Sequence, residues 1–235
     1  GGYRFTVKVG KPKDPEAAKN GTKLARGANF MCLMSREPIK GDYIKSEGRA
    51  GRMGSKLMAI VAEGTKGRVY LDPITEHENI VRSVKPDWKP QNDLIGKCRD
   101  QLPLYGMNTF GDLFTPRQLV ALDTFSDLVQ EAIPRIEADA VEAALADDDV
   151  GLEAGGTGAQ AYAEAVGAYL GCGISRAADY WNSNATWESG DGFIAHAFTR
   201  QAIPMVWDFA ESSPFSDSSG NWVSTCIEWI ENVIL

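Results

Sequence analysis

GDLFTPRQLVALDTFSDLV, residues 111–129, is the stretch from which the rest of the chain can be read, because it marks the start of a long helix. Thr115 is an N-cap residue, Pro116 brings the fixed φ favoured at the first helical position, and Gln118 completes a Thr-x-x-Gln capping box. Phe114 and Leu119 stand where a hydrophobic staple forms. Beyond them Leu119, Leu122, Ser126, Val129, Ile133 and Ile136 follow three-four spacing, so one apolar stripe faces a core despite the hydroxyl at Ser126. A helix start of this kind also offers N–H donors to a carboxylate or phosphate.

The 235 residues are 43% hydrophobic and 24% charged, a globular composition sufficient for one large domain or two small ones. No run approaches a membrane span and nothing at the N-terminus reads as a signal peptide, so a cytoplasmic location and no membrane partner are expected. Cys32, Cys98, Cys172 and Cys226 are too scattered for a CxxC pair and read as buried thiols. The net charge of −8 is unevenly spread. Residues 1–99 hold 20 of the 24 Lys and Arg against 11 Asp and Glu, while residues 100–235 hold 4 against 21. Such asymmetry fits a basic face for nucleic acid joined to an acidic half with another task, or a surface whose charge merely drifted.

In chain order, Tyr3, Phe5, Val7 and Val9 alternate with Arg4, Thr6 and Lys8, the period of a strand with a basic outer face. Residues 10–29 form a basic loop, 30–34 a second strand, and 42–47 a third extended piece. In EGRAGRMGSKLMAIVAEGTKGRVYLDP, residues 47–73, Gly48, Gly51 and Gly54 recur every third residue with Arg49, Arg52 and Lys56 among them. This segment reads as a phosphate-gripping turn built on Lys45, Arg49, Arg52 and Lys56, or as a turn whose arginines are simply solvated. Residues 57–62 and 68–71 read as strands around a turn, although 55–62 can also begin as a helix. Residues 75–84 suit a short helix, and the proline-bounded KPDWKP at 85–90 leads to a boundary near residue 105.

The second half reads as helical. The helix from Thr115 meets Pro134, which kinks it or restarts it through Ala146. DDDVGLEAGGTG, residues 147–158, reads as a mobile acidic linker rather than a nucleotide loop, because no strand precedes its GGTG. Residues 159–181 form a helix whose inner side carries Tyr162, Val166, Tyr169, Leu170, Ile174 and Ala177. Residues 182–192 read as a polar loop, 193–209 as a helix ended or bent by Pro204, and 222–235 as a final helix. The expected fold is α+β, with a small basic β-rich module over 1–105 followed by an acidic, bundle-like helical half over 106–235.

Catalytic signatures are sparse. His77 and His196 lie in no ligand-spaced cluster, no GxSxG elbow occurs, and for Asp208 with Glu211 a helix-end capping role is commoner than an acid-base pair. No catalytic residue and no metal is assigned. With YRFTVKV opening mid-strand and the chain ending in the apolar run WVSTCIEWIENVIL, the sequence reads as an excerpt from a longer protein.

Taken together, YRFTVKVGKPKDPEAAKNGTKLARGANFMCLMS, DYIKSEGRAGRMGSKLMAIVAEG, FGDLFTPRQLVALDTFSDLV and TRQAIPMVWDFAESSPFSDSSGNW resemble a family of large adenine-specific DNA methylases that carry an N-terminal domain of unknown function. Many of its members occur in anti-phage defence loci. The resemblance implies a segment lying between the family's S-adenosylmethionine loop upstream and its catalytic Asp-Pro-Pro-Tyr motif downstream. Such a segment serves DNA binding, target recognition and scaffolding without methylating on its own. DNA and other defence-system subunits are then the partners. A narrower similarity joins Phe114, Thr115, Pro116 and Arg117 to the aromatic-Thr-Pro segment that lines the cofactor pocket in restriction-modification subunits, although that segment normally precedes the cofactor loop. Weak or no S-adenosylmethionine binding is implied for this chain alone. The reading from another class is a non-catalytic module that docks a protein or RNA.

Overall fold

The computed structural model describes residues 3–234, and these divide into two compact units. One takes the residues up to Val84 together with Gln101–Asn108, and the other takes Lys85–Asp100 with the residues from Thr109 onward. The architecture is α+β, with three small antiparallel sheets set among helices.

In the first unit Asp14 caps α1 (Pro15–Asn20), accepting the Ala17 N–H at 3.0 Å. Strands β1 (Lys23–Ala25), β2 (Asn29–Met31) and β3 (Pro38–Ile39) form one sheet in that order. Helix α2 (Gly41–Arg49) follows, then the hairpin β4 (Ile60–Gly64) and β5 (Gly67–Leu71), then α3 (Thr75–Ser83). Two expectations are corrected here. Residues 3–9 are not a strand: no ladder partner pairs with them, and their order comes from the Val7 N–H on Asp72 and an edge-on Tyr3–Phe5 contact. Residues 42–47 are helical rather than extended, with Asp42 in the first turn of α2 and Arg49 in the last, each matched to the helix dipole. The helical option for 55–62 is likewise not taken, because β4 pairs with β5 from Ile60 to Leu71.

A close backbone approach brings Gln101–Asn108 back to this unit. A Cβ on Gly48 of α2 would sit 2.5 Å from the Tyr105 carbonyl oxygen, and Gly106, at φ 89°, meets the Gly48 carbonyl from the other side. Two glycines let two backbones touch where side chains would hold them apart.

The second unit is built on α4 (Pro116–Glu142) and α5 (Ala159–Tyr180). The capping box at Thr115 forms as its spacing predicts, and α4 continues past Pro134 without a second start. The two helices run antiparallel, since Phe125 meets Trp181 edge-on at one end and Ile133 faces Gly167 midway. The face of α5 that is buried is its small one, with Ala159, Ala161, Ala163, Gly167 and Gly173, while Tyr162 and Tyr169 are exposed. The expected inner stripe was therefore wrong at its tyrosines: small residues bring the helix axes close and leave rings of that size no room.

Residues 193–209 are not helical. β6 (Thr186–Glu188) pairs with β7 (Phe193–Ala195), and the Ile194 N–H is anchored by Ser219 Oγ at 2.7 Å. Gly192 at φ 70° turns the hairpin, a geometry that a helix does not accommodate. The acidic 147–158 segment is tied down rather than loose, through Leu152 N–H to Glu164 at 2.6 Å and Ala159 N–H to the Ala146 carbonyl at 2.8 Å. The chain then closes with a π-helical turn (Trp222–Ile227), capped by Asn221, that passes into α6 (Glu228–Ile234).

Gly48→Ala is expected to lower stability by about 1–3 kcal/mol through overpacking against Tyr105. Gly54→Ala, where an added Cβ meets nothing within 4 Å, is expected to change it little. Urea titration of both variants measures the difference.

Candidate functional site

At the start of α4, most donors are already engaged. Gln118 N–H bonds Thr115 Oγ at 3.3 Å, Leu119 N–H bonds the Thr115 carbonyl at 3.0 Å, and Pro116 has no N–H to give. Thr115 N–H goes to Gln118 Oε1 at 2.8 Å, so the capping box satisfies itself. The Arg117 guanidinium is clamped by Glu211, with Nε and Nη2 each 2.8 Å from a carboxylate oxygen. What the segment Phe114 to Arg117 presents to a ligand is therefore one main-chain N–H, that of Arg117, and the half-buried ring of Phe114. Beside them Gln118 Nε2 is buried without a hydrogen-bond partner. The same pairing commits Glu211 to a structural task, and Asp208 lies in irregular chain rather than at a helix end.

The basic segment of the first unit shows a parallel economy. Arg52 makes a two-bonded pair with Glu47, both contacts at 2.7 Å, and Lys56 Nζ lies 2.9 Å from Glu78 while sitting over the Tyr3 ring. The hydrogen bond from Arg52 holds the Glu47 carboxyl below its usual range, and Glu47 in turn raises Arg52. Lys45 approaches Asp42 at 3.8 Å, a weak pair because the Asp42 side chain is fully exposed. Arg49 is exposed and forms no ion pair among the described residues. Lys45, half-buried, and Arg49, exposed, thus lie in α2 without a strong ion pair, whereas Arg52 and Lys56 hold neighbouring elements together.

One cluster has no counterpart in the sequence reading. Asp179, in the last turn of α5, accepts from His196 Nδ1 at 2.7 Å and from the Phe198 N–H at 2.6 Å, and Tyr180 lies 5.4 Å from the His196 ring. The two residues are 17 apart, and treating 193–209 as a helix hides that the chain after β7 folds back along α5. An oriented imidazole of this kind is half of an acid-base pair, yet here it latches the hairpin exit to the helix. His77 has a local role, its Nδ1 facing the Ile74 N–H at the start of α3. Among the described residues no group of three or more His, Cys, Asp or Glu can hold a metal ion, and no helix is long and apolar enough to cross a membrane.

No family model, no curated protein and no solved structure matches this chain.

The four thiols are free and differ in environment. Cys32 is pulled below the ordinary thiol value, chiefly by the Ser35 side chain and then by the Ser35 and Met34 backbone, whereas burial pushes Cys226 up to about 11. Cys226 is fully buried and Cys172 is exposed, so only Cys226 answers the expectation of a sequestered thiol in full. At pH 8 Cys226 is thiolate at only about one part in a thousand, so labelling with a disulfide reagent is expected to modify Cys32 early and to spare Cys226 until the protein unfolds. Mass mapping after timed exposure reads this order.

Proposed function

We propose that this chain is an internal, non-catalytic region of an S-adenosylmethionine-dependent DNA adenine-N6 methyltransferase. Its basic first unit contacts DNA and its acidic helical unit serves as scaffold. The observation that carries the reading is how charge divides: the first unit holds 16 Lys and Arg against 9 Asp and Glu, the second 8 against 23. A net of +7 attracts a polyphosphate and a net of −15 repels it, so the division matches two tasks. The resemblance in the quoted segments supports the class, and Lys45 and Arg49 of α2 supply phosphate contacts at the start of the glycine-spaced segment.

The segment Phe114 to Arg117 fits the cofactor poorly by itself. One open N–H and one ring amount to part of a wall, so S-adenosylmethionine affinity in this chain is weak or nil. A second reading, a non-catalytic module that docks a protein or RNA, is favoured on its protein side by the exposed Val223, Trp229, Val233 and Ile234 on the C-terminal helical segment.

Fluorescence anisotropy with a labelled duplex at two salt concentrations is expected to give binding that weakens steeply with salt. Absence of binding, or binding without a salt slope, would overturn the DNA reading. Calorimetric titration with S-adenosylmethionine is expected to give no heat of binding at micromolar protein. Light scattering that shows self-association, with no nucleic-acid binding, would favour the docking module instead.

A further inference from the structure

Apart from Arg49, the glycine-spaced segment is not where the first unit leaves its cations unpaired. Lys23, Arg26 and Lys40 are exposed, and none of them enters an ion pair among the described residues. The three-stranded sheet brings Arg26 and Lys40 to its Asn29 end, with Lys23 one pair further along β1. β1 carries Lys23 opposite Phe30 of β2, with Ala25 opposite Asn29, and Phe30 in turn faces Ile39 of β3, so Arg26 and Lys40 flank Asn29 from its two sides. The Asn29 side-chain amide donates to the Arg26 carbonyl at 2.9 Å and holds the turn through Gly27, which sits at φ 80°.

At that end of the sheet opens a cavity of about 400 Å³, lined by residues 27–29, by Lys40 and Lys45, and by Tyr105. Its rim carries cations and a single acid, Asp42, whose carboxylate points fully into solvent and lies 3.8 Å from Lys45. A phosphate group occupies far less than this volume, so the cavity has room for one. More positive charge precedes the sheet, at the exposed Lys11, Lys13 and Lys19, which likewise form no ion pair among the described residues.

We infer that the Lys23, Arg26 and Lys40 end of this sheet, with Lys45 in the adjoining cavity, is a seat for the phosphodiester backbone of a nucleic acid. The inference rests on the reading of the first unit as a nucleic-acid contact, and it places the principal contact at the sheet rather than at Arg52 and Lys56. The physical reason is competition. A cation already hydrogen-bonded to a carboxylate must break that pair to reach a phosphate, whereas an unpaired lysine displaces only water and counterions.

The test uses the full chain, a labelled 20-base-pair duplex and, in a second arm, a single-stranded RNA of equal length, each over a salt series. The triple variant Lys23→Gln/Arg26→Gln/Lys40→Gln is expected to reduce the salt slope by about 2–3 and the affinity on the order of tenfold or more, since each lost phosphate contact removes roughly 0.9 from the slope for duplex DNA. Arg135→Gln/Arg200→Gln, two exposed arginines of the acidic unit, is expected to leave both quantities unchanged. Circular dichroism and melting curves confirm that every variant is folded. Unchanged binding in the triple variant, or a larger loss in Arg52→Gln/Lys56→Gln, overturns the inference while the DNA reading survives. Binding of RNA alone, lost in the triple variant, upholds the seat and overturns the DNA reading; no salt-dependent binding of either nucleic acid by the wild-type chain overturns both.

Discussion

The second unit depends on five consecutive residues, 181–185 (WNSNA), all of which are buried although three carry polar side chains. Burying amide and hydroxyl groups is costly unless each finds a partner, and nearly every partner here belongs to a different stretch of chain. Trp181 Nε1–H reaches the Gly220 carbonyl at 2.6 Å, and Ser183 donates both N–H and Oγ–H to the Leu113 carbonyl. Asn184 reaches the Pro204 carbonyl, and the Ala185 carbonyl takes the Ala210 N–H. Asn182 turns back to the carbonyls of Ala178 and Asp179, closing the end of α5. One short segment pins the turn that ends at Leu113 and three points, Pro204, Ala210 and Gly220, of the irregular stretch 196–221, and the aromatic cluster of Phe125, Trp181 and Trp222 packs beside it. Three buried atoms nearby, Gln118 Nε2, Asn184 Oδ1 and Ser212 Oγ, have no partner. Each such group costs about 1–3 kcal/mol, so the hub both orders the unit and limits its stability.

The first unit is held differently. Its buried apolar side chains are Ala28 and Leu102, and its hairpin leaves Val61, Val69, Tyr70 and Leu71 exposed. With so little apolar burial, order comes from the Gly48–Gly106 backbone approach and from ion pairs such as Arg52 with Glu47 and Lys56 with Glu78. Surface pairs contribute only about 0–1 kcal/mol each, but they fix which cations are tied to the protein and which remain available to a ligand.

Legibility in the sequence followed the range of the forces involved. The start of α4 was readable because capping is local: Thr115, Pro116 and Gln118 determine it within four residues. The α+β character and the β4–β5 hairpin were readable for the same reason. The strand expected at 3–9 failed because alternation specifies a face but not a partner to pair with. The helix expected at 193–209 failed because a hairpin turn at Gly192 and an anchor at Ser219 override periodicity. NSN at 182–184 reads as a solvent loop, and only its distant carbonyl partners reveal it as interior. The basic turn was correctly seen as cationic, yet which of its charges were already neutralised depended on Glu78, which is 22 residues from Lys56.

The distribution of spent and unspent charge also bears on how a polyanion meets this chain. In the acidic unit the arginines with visible partners serve the fold: Arg117 is clamped by Glu211, while Arg176 donates to the Thr225 carbonyl at 2.7 Å and lies against Tyr180 and Trp229. Asp112, Asp179 and Glu211 are among the acids engaged there by a basic side chain. Pairing inside that unit leaves its net charge of −15 unchanged, and a nucleic acid is repelled from it at distances within a Debye length of about 8–10 Å. In the basic unit, pairing removes Arg52 and Lys56 along with the acids Glu47 and Glu78, leaving its net charge intact but concentrating it on the lysines and arginines outside those pairs. Ion pairing within the fold thus takes Arg52 and Lys56 out of the attractive field and leaves it to Arg49 and to cations such as those at the sheet end.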